Sequence, residues 1–498
     1  MSQVAVQAIR KLPTFIPGFD LISGGGFPEG RVSLITGTAG SGKTILAMQW
    51  LVEGLRNTGE SAVFVTFEEP AEDIRRNMAG FGWDLRAWEN QGRLTFVDGA
   101  FASSAQGEVA GAYDLGGLLA RIEHAIRKSG AKRVALDSFS AVLTQFPEIA
   151  SLRQELFRIS LALKGLGVTT IVTAERNDDH GPISRSGVEE FVVDNVVILR
   201  NVLEEEKRRR TVEVLKFRGA AHQTGEFPLT ILSGVGMIVV PLSGTELKQG
   251  STDLRITTGI PTLDQMCEGG LFRDSVTLVS GATGTGKTLL VTEFIKGGSQ
   301  NGERSLLFAF EESRAQLGRN AAGWGVDYDE IEGRGQLRIV CQYPEVTGPE
   351  EHLVQIKRLI EEYKPDRVAI DSLSALERVS SPKSFREFVL GLTSHVKDKN
   401  IAGLFTATTE GLLGGASITS SNLSTVTDSI IMLRYLEFAG EVRRGLTVLK
   451  MRGSNHDKGI REFWITTHGM EIGEKLTGVT GILSGSPAEL GFRQSPGQ

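Results

Sequence analysis

Short apolar runs alternate along the chain with longer segments whose apolar residues recur at helical spacing. The runs RVSLIT, AVFVTF, RVALD and TTIVTA are rich in β-branched residues and predict buried strands. The segment LGGLLARIEHAIRKSG (115–130) instead predicts an amphipathic helix. Strands separated by helices of this length favour a mostly parallel sheet with helices on both faces. The pattern therefore predicts the α/β class.

The same pattern occurs twice. Four segments of the first half return in the second half after 234 to 244 residues, and this nearly constant spacing indicates a duplicated domain. The polar stretch PLSGTELKQGSTD (241–253) separates the copies, and we expect one domain over 1–247 and another over 248–498. The paired segments are GFDLISGGGFPEGRVSLITGTAGSGKT with GIPTLDQMCEGGLFRDSVTLVSGATGTGKT, VFVTFEEPAEDIRRN with LFAFEESRAQLGRN, KRVALDSFSAV with DRVAIDSLSAL, and LKFRGAAH with LKMRGSNH.

Composition narrows the class of protein. A chain of 498 residues is too long for one hydrophobic core, and its 40% hydrophobic and 23% charged residues are typical of globular domains. A net charge of −6 argues against a dedicated duplex-binding protein, so nucleic acid is not an expected partner. Two cysteines, Cys267 and Cys341, indicate buried thiols in a reducing compartment. With no apolar run of 18 residues and no signal-peptide core, we expect a cytoplasmic protein without a membrane partner.

Two segments fit the phosphate-binding pattern G-x-x-x-x-G-K-[ST], each between an apolar strand and an apolar-rich helix. Small residues let backbone N–H groups surround phosphate oxygens, and the helix N-terminus adds its positive dipole end. Lys43 and Lys287 would reach the β- and γ-phosphates of ATP, and Thr44 and Thr288 would ligate Mg²⁺. The residues expected at ATP are Gly37, Thr38, Ala39, Gly40, Ser41, Gly42, Lys43 and Thr44 in the first copy, and Gly281, Ala282, Thr283, Gly284, Thr285, Gly286, Lys287 and Thr288 in the second.

Acidic residues lie at the ends of two of the predicted strands in each copy. Asp137 and Asp371 end the runs RVALD and RVAID, where a carboxylate can reach the magnesium directly or through water. A solvated loop aspartate is the alternative interpretation.

Two acidic pairs, Glu68-Glu69 and Glu311-Glu312, follow the runs VFVTF and LFAF. A carboxylate at such a strand end can orient and deprotonate an attacking water or hydroxyl. Because adjacent residues of a strand point to opposite sides, we expect one of each pair to face the nucleotide. We favour Glu68 and Glu311 as bases, with Glu69 and Glu312 assisting. The alternative is that each pair caps the following helix.

Basic residues lie late in each copy, where a strand passes into a loop. They are Lys216, Arg218 and His222 in the first copy and Lys450, Arg452 and His456 in the second. In a ring ATPase such residues can reach the γ-phosphate of ATP in a neighbouring subunit, and the alternative is a solvated hairpin edge. The basic run 207–210 lies beside the acidic run 204–206, which predicts a solvated hairpin tip rather than a nucleic-acid site.

Longer segments identify the chain as similar to the KaiC family, whose domains are RecA-like P-loop NTPases. The segments are TFEEPAEDI, GVEEFVVDNVVILRNVLEEEKRRRT, GATGTGKTLLV, FAFEESRAQL, AIDSLSAL, SITSSNLSTVTDSIIMLRYLE and KMRGSNHDKGIREF, and the resemblance extends over nearly the whole chain.

The resemblance implies a slow ATPase in the first domain and a second domain that autophosphorylates and dephosphorylates. It also implies a double-ring hexamer with ATP between neighbouring subunits. The phosphorylated residues would be Ser424 and Thr425, with Glu311 as the base, and Thr419 matches a position implicated in phosphate exchange. Timing or stress signalling is the implied role.

Partners follow from the same resemblance. The segment 481–490 resembles the family's regulatory loop, but only GFRQSPGQ follows it, so we do not expect control by the activator KaiA. The segment 111–119 resembles a KaiB-docking region, which leaves a KaiB-like partner open. Two alternatives remain: a DNA-dependent RecA-type recombinase or helicase, and a nucleotide-gated hexameric scaffold.

Overall fold

The computed structural model describes residues 9–99, 115–140, 149–184, 189–204, 206–241, 251–409, 423–438, 440–477, 479–480 and 488–489. The chain divides into two compact units, residues 1–244 and 245–498. Each unit contains a mostly parallel sheet flanked by helices, so the predicted α/β class is confirmed.

The first unit is built on a nine-stranded sheet with the order β11-β10-β9-β8-β3-β7-β6-β4-β5. The strands from β8 to β5 in this order run parallel, and β9, β10 and β11 continue the sheet as an antiparallel meander. The strands of the first unit are β1 Lys11–Leu12, β2 Phe27–Pro28, β3 Val32–Gly37, β4 Ala62–Thr66, β5 Leu94–Asp98, β6 Arg133–Asp137, β7 Thr169–Glu175, β8 Asn195–Glu204, β9 Lys207–Phe217, β10 Glu226–Leu232 and β11 Gly236–Val239. Of these, β1 and β2 form a separate two-stranded sheet. Its helices are α1 Phe19–Ser23, α2 Lys43–Asn57, α3 Ala71–Ala79, α4 Leu85–Asn90, α5 Leu115–Ser129, α6 Ile149–Gly165 and α7 Glu189–Val192.

The second unit repeats this topology with a sheet of order β16-β15-β17-β18-β14-β19-β20-β21-β22. Its strands are β12 Arg255–Ile256, β13 Leu271–Phe272, β14 Val276–Gly281, β15 Ser305–Ala309, β16 Leu337–Cys341, β17 Arg367–Asp371, β18 Ala402–Thr408, β19 Ser429–Phe438, β20 Glu441–Met451, β21 Arg461–Thr466, β22 Gly469–Lys475, β23 Val479–Thr480 and β24 Ala488–Glu489. Its helices are α8 Pro261–Met266, α9 Lys287–Gln300, α10 Arg314–Gly323, α11 Tyr328–Gly333, α12 Pro349–Tyr363, α13 Leu373–Arg378 and α14 Pro382–Asp398, with a 3₁₀ turn over Leu423–Thr425.

The central strands are buried on both faces, as their continuous apolar runs predict. In β4 the side chain of Phe64 packs into the core on one face, while Val63 and Val65 pack into the core on the other. The predicted helix over 115–130 is observed as α5. Among the described residues, none of the helices has the length and apolar character needed to cross a membrane.

In each unit a buried arginine of the sheet donates a hydrogen bond to the helix that follows the glycine-rich loop, α2 in the first unit and α9 in the second. Arg133 is fully buried at the start of β6, where Nε donates to Glu60 Oε2 at 2.9 Å and Nη1 to the carbonyl of Trp50 at 3.0 Å. A Cβ at Gly54 of α2 would lie 2.3 Å from Arg133 Nε, so the helix can approach the arginine only because this residue is glycine.

The second unit contains the same arrangement. Arg367 Nε donates to Glu303 Oε2 at 2.6 Å, and its Nη1 donates to the carbonyl of Phe294 at 2.9 Å. A Cβ at Gly298 would lie 2.5 Å from Arg367 Nε. The duplication therefore preserved a buried charged group together with the space that it needs.

One buried polar position in the central helices differs between the units. Gln49 in α2 pairs with both backbone groups of Met237, since its amide donates to the carbonyl at 3.1 Å and accepts from the N–H at 2.7 Å. The residue at this place in α9 is Glu293, 2% exposed, which contacts Lys296 at 3.2 Å and accepts from the backbone of Met470. Burial raises the pKa of the Glu293 carboxyl. An ionised carboxylate cannot donate to a carbonyl, so the glutamate lacks half of the pairing that the glutamine makes.

Candidate functional site

The first phosphate-binding loop joins the carboxyl end of β3 to the N-terminus of α2. Gly40 and Gly42 have φ angles of 72° and 99°, in the left-handed region that favours glycine, and α2 begins at Lys43. The Lys43 ammonium is buried and donates to the carbonyl oxygens of Gly37 and Thr38, both at 3.0 Å. Burial lowers the pKa of Lys43, and nearby carboxylates oppose this shift.

The second loop has the same geometry between β14 and α9. The φ angles of Gly284 and Gly286 are 79° and 104°, and Lys287 Nζ donates to the carbonyl oxygens of Gly281 and Ala282 at 2.9 and 3.0 Å. In both loops the lysine ammonium is thus bound to two backbone carbonyls of its own loop. An entering phosphate would receive this ammonium in place of the backbone carbonyls.

The aspartate that ends the neighbouring strand lies beside each loop. Asp371 Oδ2 accepts from Thr288 Oγ1 at 2.7 Å, and its Oδ1 accepts from Thr406 Oγ1 at 2.6 Å. Burial raises the pKa of the Asp371 carboxyl, and these hydroxyl groups act in the opposite direction. The backbone peptide bond between Asp371 and Ser372 is cis.

The first unit matches this arrangement. The Asp137 carboxylate accepts hydrogen bonds from Thr44 and from Thr173, and burial raises its pKa. The Asp137–Ser138 peptide bond is also cis.

This donor set fits Mg²⁺. Hydroxyl and carboxylate oxygens are hard ligands, and Mg²⁺ is commonly held by one or two protein groups together with phosphates and water. No cluster of three or more His, Cys, Asp or Glu ligands occurs within the residues that the structure describes. A site completed by phosphate does not require such a cluster.

The first acidic pair is divided between two environments. The Ser138 hydroxyl acts to lower the pKa of Glu68, and the Glu68 charge acts on Lys43. Burial raises the pKa of Glu68, and the charge of Glu175 raises it further. The neighbouring Glu69, which is exposed like Glu68, instead accepts from Asn77 Nδ2 at 3.5 Å.

In the second acidic pair, both glutamates make side-chain hydrogen bonds within the unit. Glu311 Oε2 accepts from Ser372 Oγ at 3.0 Å, and Oε1 accepts from the guanidinium of Arg378. Glu312 accepts from Asn320 Nδ2 at 2.9 Å, while burial and the charge of Asp371 raise its pKa. The alternative of an acidic helix cap is wrong for α10, because Ser313 supplies its capping box with Gln316. Pro70 precedes α3, which has no side-chain cap.

The late basic residues do not lie at the phosphate loop of their own unit. Lys216 pairs with Val196, which pairs with Leu34, three residues or about 10 Å along β3 from Gly37. Lys216 Nζ donates to the carbonyl of Val193 at 3.2 Å, at the end of the strands remote from the loop. Burial lowers the pKa of Lys216, and so does the charge of Arg218. The ring of His222 packs 5.5 Å from that of Phe217.

In the second unit the corresponding residues hold the segment predicted to be phosphorylated. Lys450 Nζ donates to the carbonyl oxygens of Ser424 and Thr427, both at 2.6 Å, and Arg452 Nη2 donates to the carbonyl of Thr425 at 2.9 Å. Ser424 and Thr425 belong to the 3₁₀ turn Leu423–Thr425, which three residues separate from the start of β19, and Thr425 is exposed. His456 lies in the loop after β20.

Several residues near the loops were missed by the sequence interpretation. They are the strand threonines that bind the aspartates, the serines that influence or bind the favoured glutamates, the last residue of β7 and a basic residue at the hairpin: Thr173, Thr406, Ser138, Ser372, Glu175 and Arg210. Arg210 Nε donates to the carbonyl of Gly40 at 3.1 Å, so the basic run is a hairpin, as predicted, but one of its members contacts the loop. The repeated D-S pairs and the T-x-E and T-x-T strand ends were the available signals.

Some predicted positions fall outside the described residues. Thr419, most of the segment 111–119 and nearly all of 481–498 are among them.

Comparison with known proteins gives one consistent result. The model of the family "ATPase: KaiC" matches residues 12–244 and again residues 256–477, one match in each unit. The chain belongs to the KaiC family. It is 61% identical over 479 residues to the circadian clock protein KaiC3 of Synechocystis sp., covering 96% of this chain and 95% of the relative. It is 53% identical to the circadian clock oscillator protein KaiC of Thermostichus vulcanus, covering 97% of this chain and 92% of the relative. The KaiC of Prochlorococcus marinus is also 53% identical, over 97% of this chain and 96% of the relative.

Membership assigns both units to a nucleotide-binding ATPase family. The two family matches coincide with the two sheets that carry the phosphate loops. The predicted recognition and the tandem RecA-like fold are thereby confirmed, and ATP binding follows from the family.

Proposed function

We propose that this chain is a KaiC-type ATPase and Ser/Thr autokinase that assembles as a hexamer. The first unit hydrolyses ATP. The second transfers the γ-phosphoryl group to Ser424 and Thr425 and also removes it. Mg²⁺ would be held by Thr44 and Asp137 in the first site.

In the second site Thr288 and Asp371 would hold the ion, which neutralises charge on the phosphates. Glu68 would take the proton of the attacking water, and Glu311 would take that of the attacking hydroxyl. Glu69 and Glu312 assist them.

One observation carries the kinase and hexamer parts of the proposal. Lys450 and Arg452 bind the backbone of residues 424–427 at the end of the sheet remote from the loop that contains Lys287. Lys450 pairs with Ile430, which pairs with Leu278, so about 10 Å of strand separates that level from Gly281. The acceptor residues and the basic residues therefore present one surface that would meet the ATP of a neighbouring subunit.

Phosphopeptide mass spectrometry tests the kinase activity. The purified full-length chain is incubated with Mg-ATP, and phosphate is expected on Ser424 and Thr425. Glu311→Gln should suppress it, because an amide cannot accept the proton. Glu345→Gln, which removes an exposed charge from the same unit, is the matched control. ATP hydrolysis without phosphate at either residue would contradict the kinase proposal and favour the scaffold.

Mixed assembly tests whether the site lies between subunits. With ATP the solution mass is expected near six times 53.8 kDa. Subunits carrying Arg452→Ala and subunits carrying Glu311→Gln should each be inactive alone, yet recover phosphorylation when mixed. A monomer at saturating Mg-ATP, or mixtures that stay inactive, would contradict this arrangement.

The relatives' names support a role in circadian timing. The resemblance of segment 111–119 to a KaiB-docking region leads us to propose a KaiB-like protein as a partner. Co-elution of such a protein with the ATP-bound chain in gel filtration would test this. The remaining alternative is a DNA-dependent motor. It would be favoured if single-stranded DNA strongly stimulated ATP turnover, an effect that the net charge of −6 does not lead us to expect.

A further inference from the structure

The last residue of β7 distinguishes the two nucleotide sites. Glu175 pairs in parallel register with Gly37, the first residue of the phosphate loop. In the second unit the same register pairs Gly281 with Thr408. The first site therefore has a carboxylate at a position where the second site has a neutral hydroxyl.

Strand geometry directs the Glu175 side chain into the site. Residues two apart on a strand share a face, and Thr173, two residues earlier, donates to Asp137. Two hydrogen bonds from backbone N–H groups fix the end of β7 at Glu175 and Arg176. The Glu175 N–H donates to Ser140 Oγ at 2.8 Å, and the next N–H, of Arg176, donates to the carbonyl of Gly37 at 3.1 Å.

Electrostatics agree with this placement. Among the charges that oppose the lowering of the Lys43 pKa, that of Glu175 is the largest, followed by those of Asp137 and Glu68. Burial also lowers the pKa of Lys287, and this shift is opposed by the charges of Asp371 and Glu311. A third carboxylate thus acts on the lysine of the first site, where the second site has two.

We propose that Glu175 is a positioning residue that orients the attacking water for Glu68 and so makes water the phosphoryl acceptor of the first site. The inference rests on the proposed hydrolysis of ATP in this unit. The water oxygen forms a bond to the γ-phosphorus as the bond to the β,γ-bridging oxygen breaks, and ADP leaves with that electron pair. Glu68 takes one proton of the water, while Glu175 accepts a hydrogen bond from the other O–H.

The second site shows why this position decides the acceptor. A carboxylate beside the γ-phosphate favours a small donor with two O–H groups and repels the phosphates, whereas Thr408 does neither. With the neutral residue the acceptor position stays open to the hydroxyl of a protein side chain. The difference therefore provides a physical basis for hydrolysis in one unit and protein phosphorylation in the other.

The test uses the full-length chain with Glu311→Gln and Glu312→Gln, so that the remaining turnover arises from the first site. Into this parent we introduce Glu175→Gln, Glu175→Thr to copy the second unit, and Glu29→Gln as a control that removes a charge at an exposed ion pair with Arg10. The readouts are kcat, KM, thermal midpoint and the affinity for a Mg-bound, non-hydrolysable ATP analogue.

Both Glu175 variants should lower kcat about tenfold. They should bind the analogue about threefold more tightly, because a negative charge near the phosphates is removed. Glu29→Gln should leave both values unchanged. The reciprocal Thr408→Glu, made in the otherwise unmodified chain, should raise hydrolysis at the second site and reduce phosphate on Ser424 and Thr425.

Wild-type kcat in Glu175→Gln would overturn this inference alone. A variant in which kcat, analogue affinity and thermal midpoint all fall together would also overturn the inference, since a joint fall indicates a structural role. A parent without Lys43-dependent hydrolysis would instead overturn the proposed function, and the inference with it.

Discussion

The two nucleotide sites share their backbone and differ in the side chains around it. In both, a buried lysine donates to two loop carbonyls, and a buried aspartate accepts from the loop threonine and from a threonine of the next strand. The first site then adds Glu175, whereas the second joins Glu311 to Arg378 and brings Glu312 under the charge of Asp371. The two units thus share the contacts of the loop lysine and of the aspartate, and they differ in the carboxylates around these contacts.

The largest expected effect tests whether the sites are independent. Lys43→Ala and Lys287→Ala should each reduce the bound nucleotide from two molecules per chain to one, because each removes the ammonium that would bind the phosphates in one loop. Nucleotide content after desalting, with the assembly state checked by ultracentrifugation, measures this. Loss of both nucleotides from an intact assembly would show that the sites are not separate.

The next effect separates the members of each acidic pair. Glu68→Gln should lower first-site ATP turnover about a hundredfold, while Glu69→Gln should change it by less than about threefold, since the Glu69 carboxylate contacts Asn77. Single-site turnover of full-length variants is the measurement. In the second site the charge of Asp371 acts on Glu312. We therefore expect Glu312→Gln to lower second-site turnover by a larger factor than Glu69→Gln lowers first-site turnover. Equal effects of Glu68 and Glu69 would remove this contrast.

A third effect compares the two cores. Gly54→Ala and Gly298→Ala should each destabilise their own unit by about 2–4 kcal/mol, because the new methyl group meets the buried guanidinium of Arg133 or Arg367. Gly323→Ala, at the end of α10 with no atom within 4 Å of its added Cβ, is the matched control and should be neutral or slightly stabilising. Calorimetric unfolding measures both. Unchanged midpoints in the first two variants would contradict the packing.

The smallest effect concerns the central helices. Glu293→Gln should stabilise the second unit by about 1 kcal/mol near neutral pH, since the amide can donate to a carbonyl and carries no buried charge. Burial raises the folded-state pKa of Glu293, so the penalty of ionisation grows as pH rises above the ordinary carboxyl range. The gain should therefore shrink toward pH values of about 4.5, which thermal unfolding at two pH values would detect.

The reciprocal change completes this test. Gln49→Glu should destabilise the first unit, because a carboxylate replaces an amide that pairs with both backbone groups of Met237. A stabilising Gln49→Glu would contradict the interpretation.

Much of the fold was predictable because its signals are periodic and occur twice. The apolar runs gave β3, β4, β6 and β7, and the glycine-rich loops identified the phosphate sites. The contacts of Thr173 and Glu175 were not predictable, since they depend on which strand end lies beside which in the sheet. The contact of Arg210 with Gly40 was missed because a local charge pattern does not report the hairpin's position over the loop.

The buried arginine and its glycine also bear on how two repeats can exchange parts. Each unit needs the strand residue, the helix residue without a Cβ and the acidic partner together, as in Arg133, Gly54 and Glu60 or in Arg367, Gly298 and Glu303. Because both repeats retain all three, a crossover between α2 and β6 joins compatible halves. Recombination between the two repeats can therefore preserve this arginine contact while it exchanges the strand ends around the phosphate loop, which makes the pair of repeats a natural starting point for chimeric proteins.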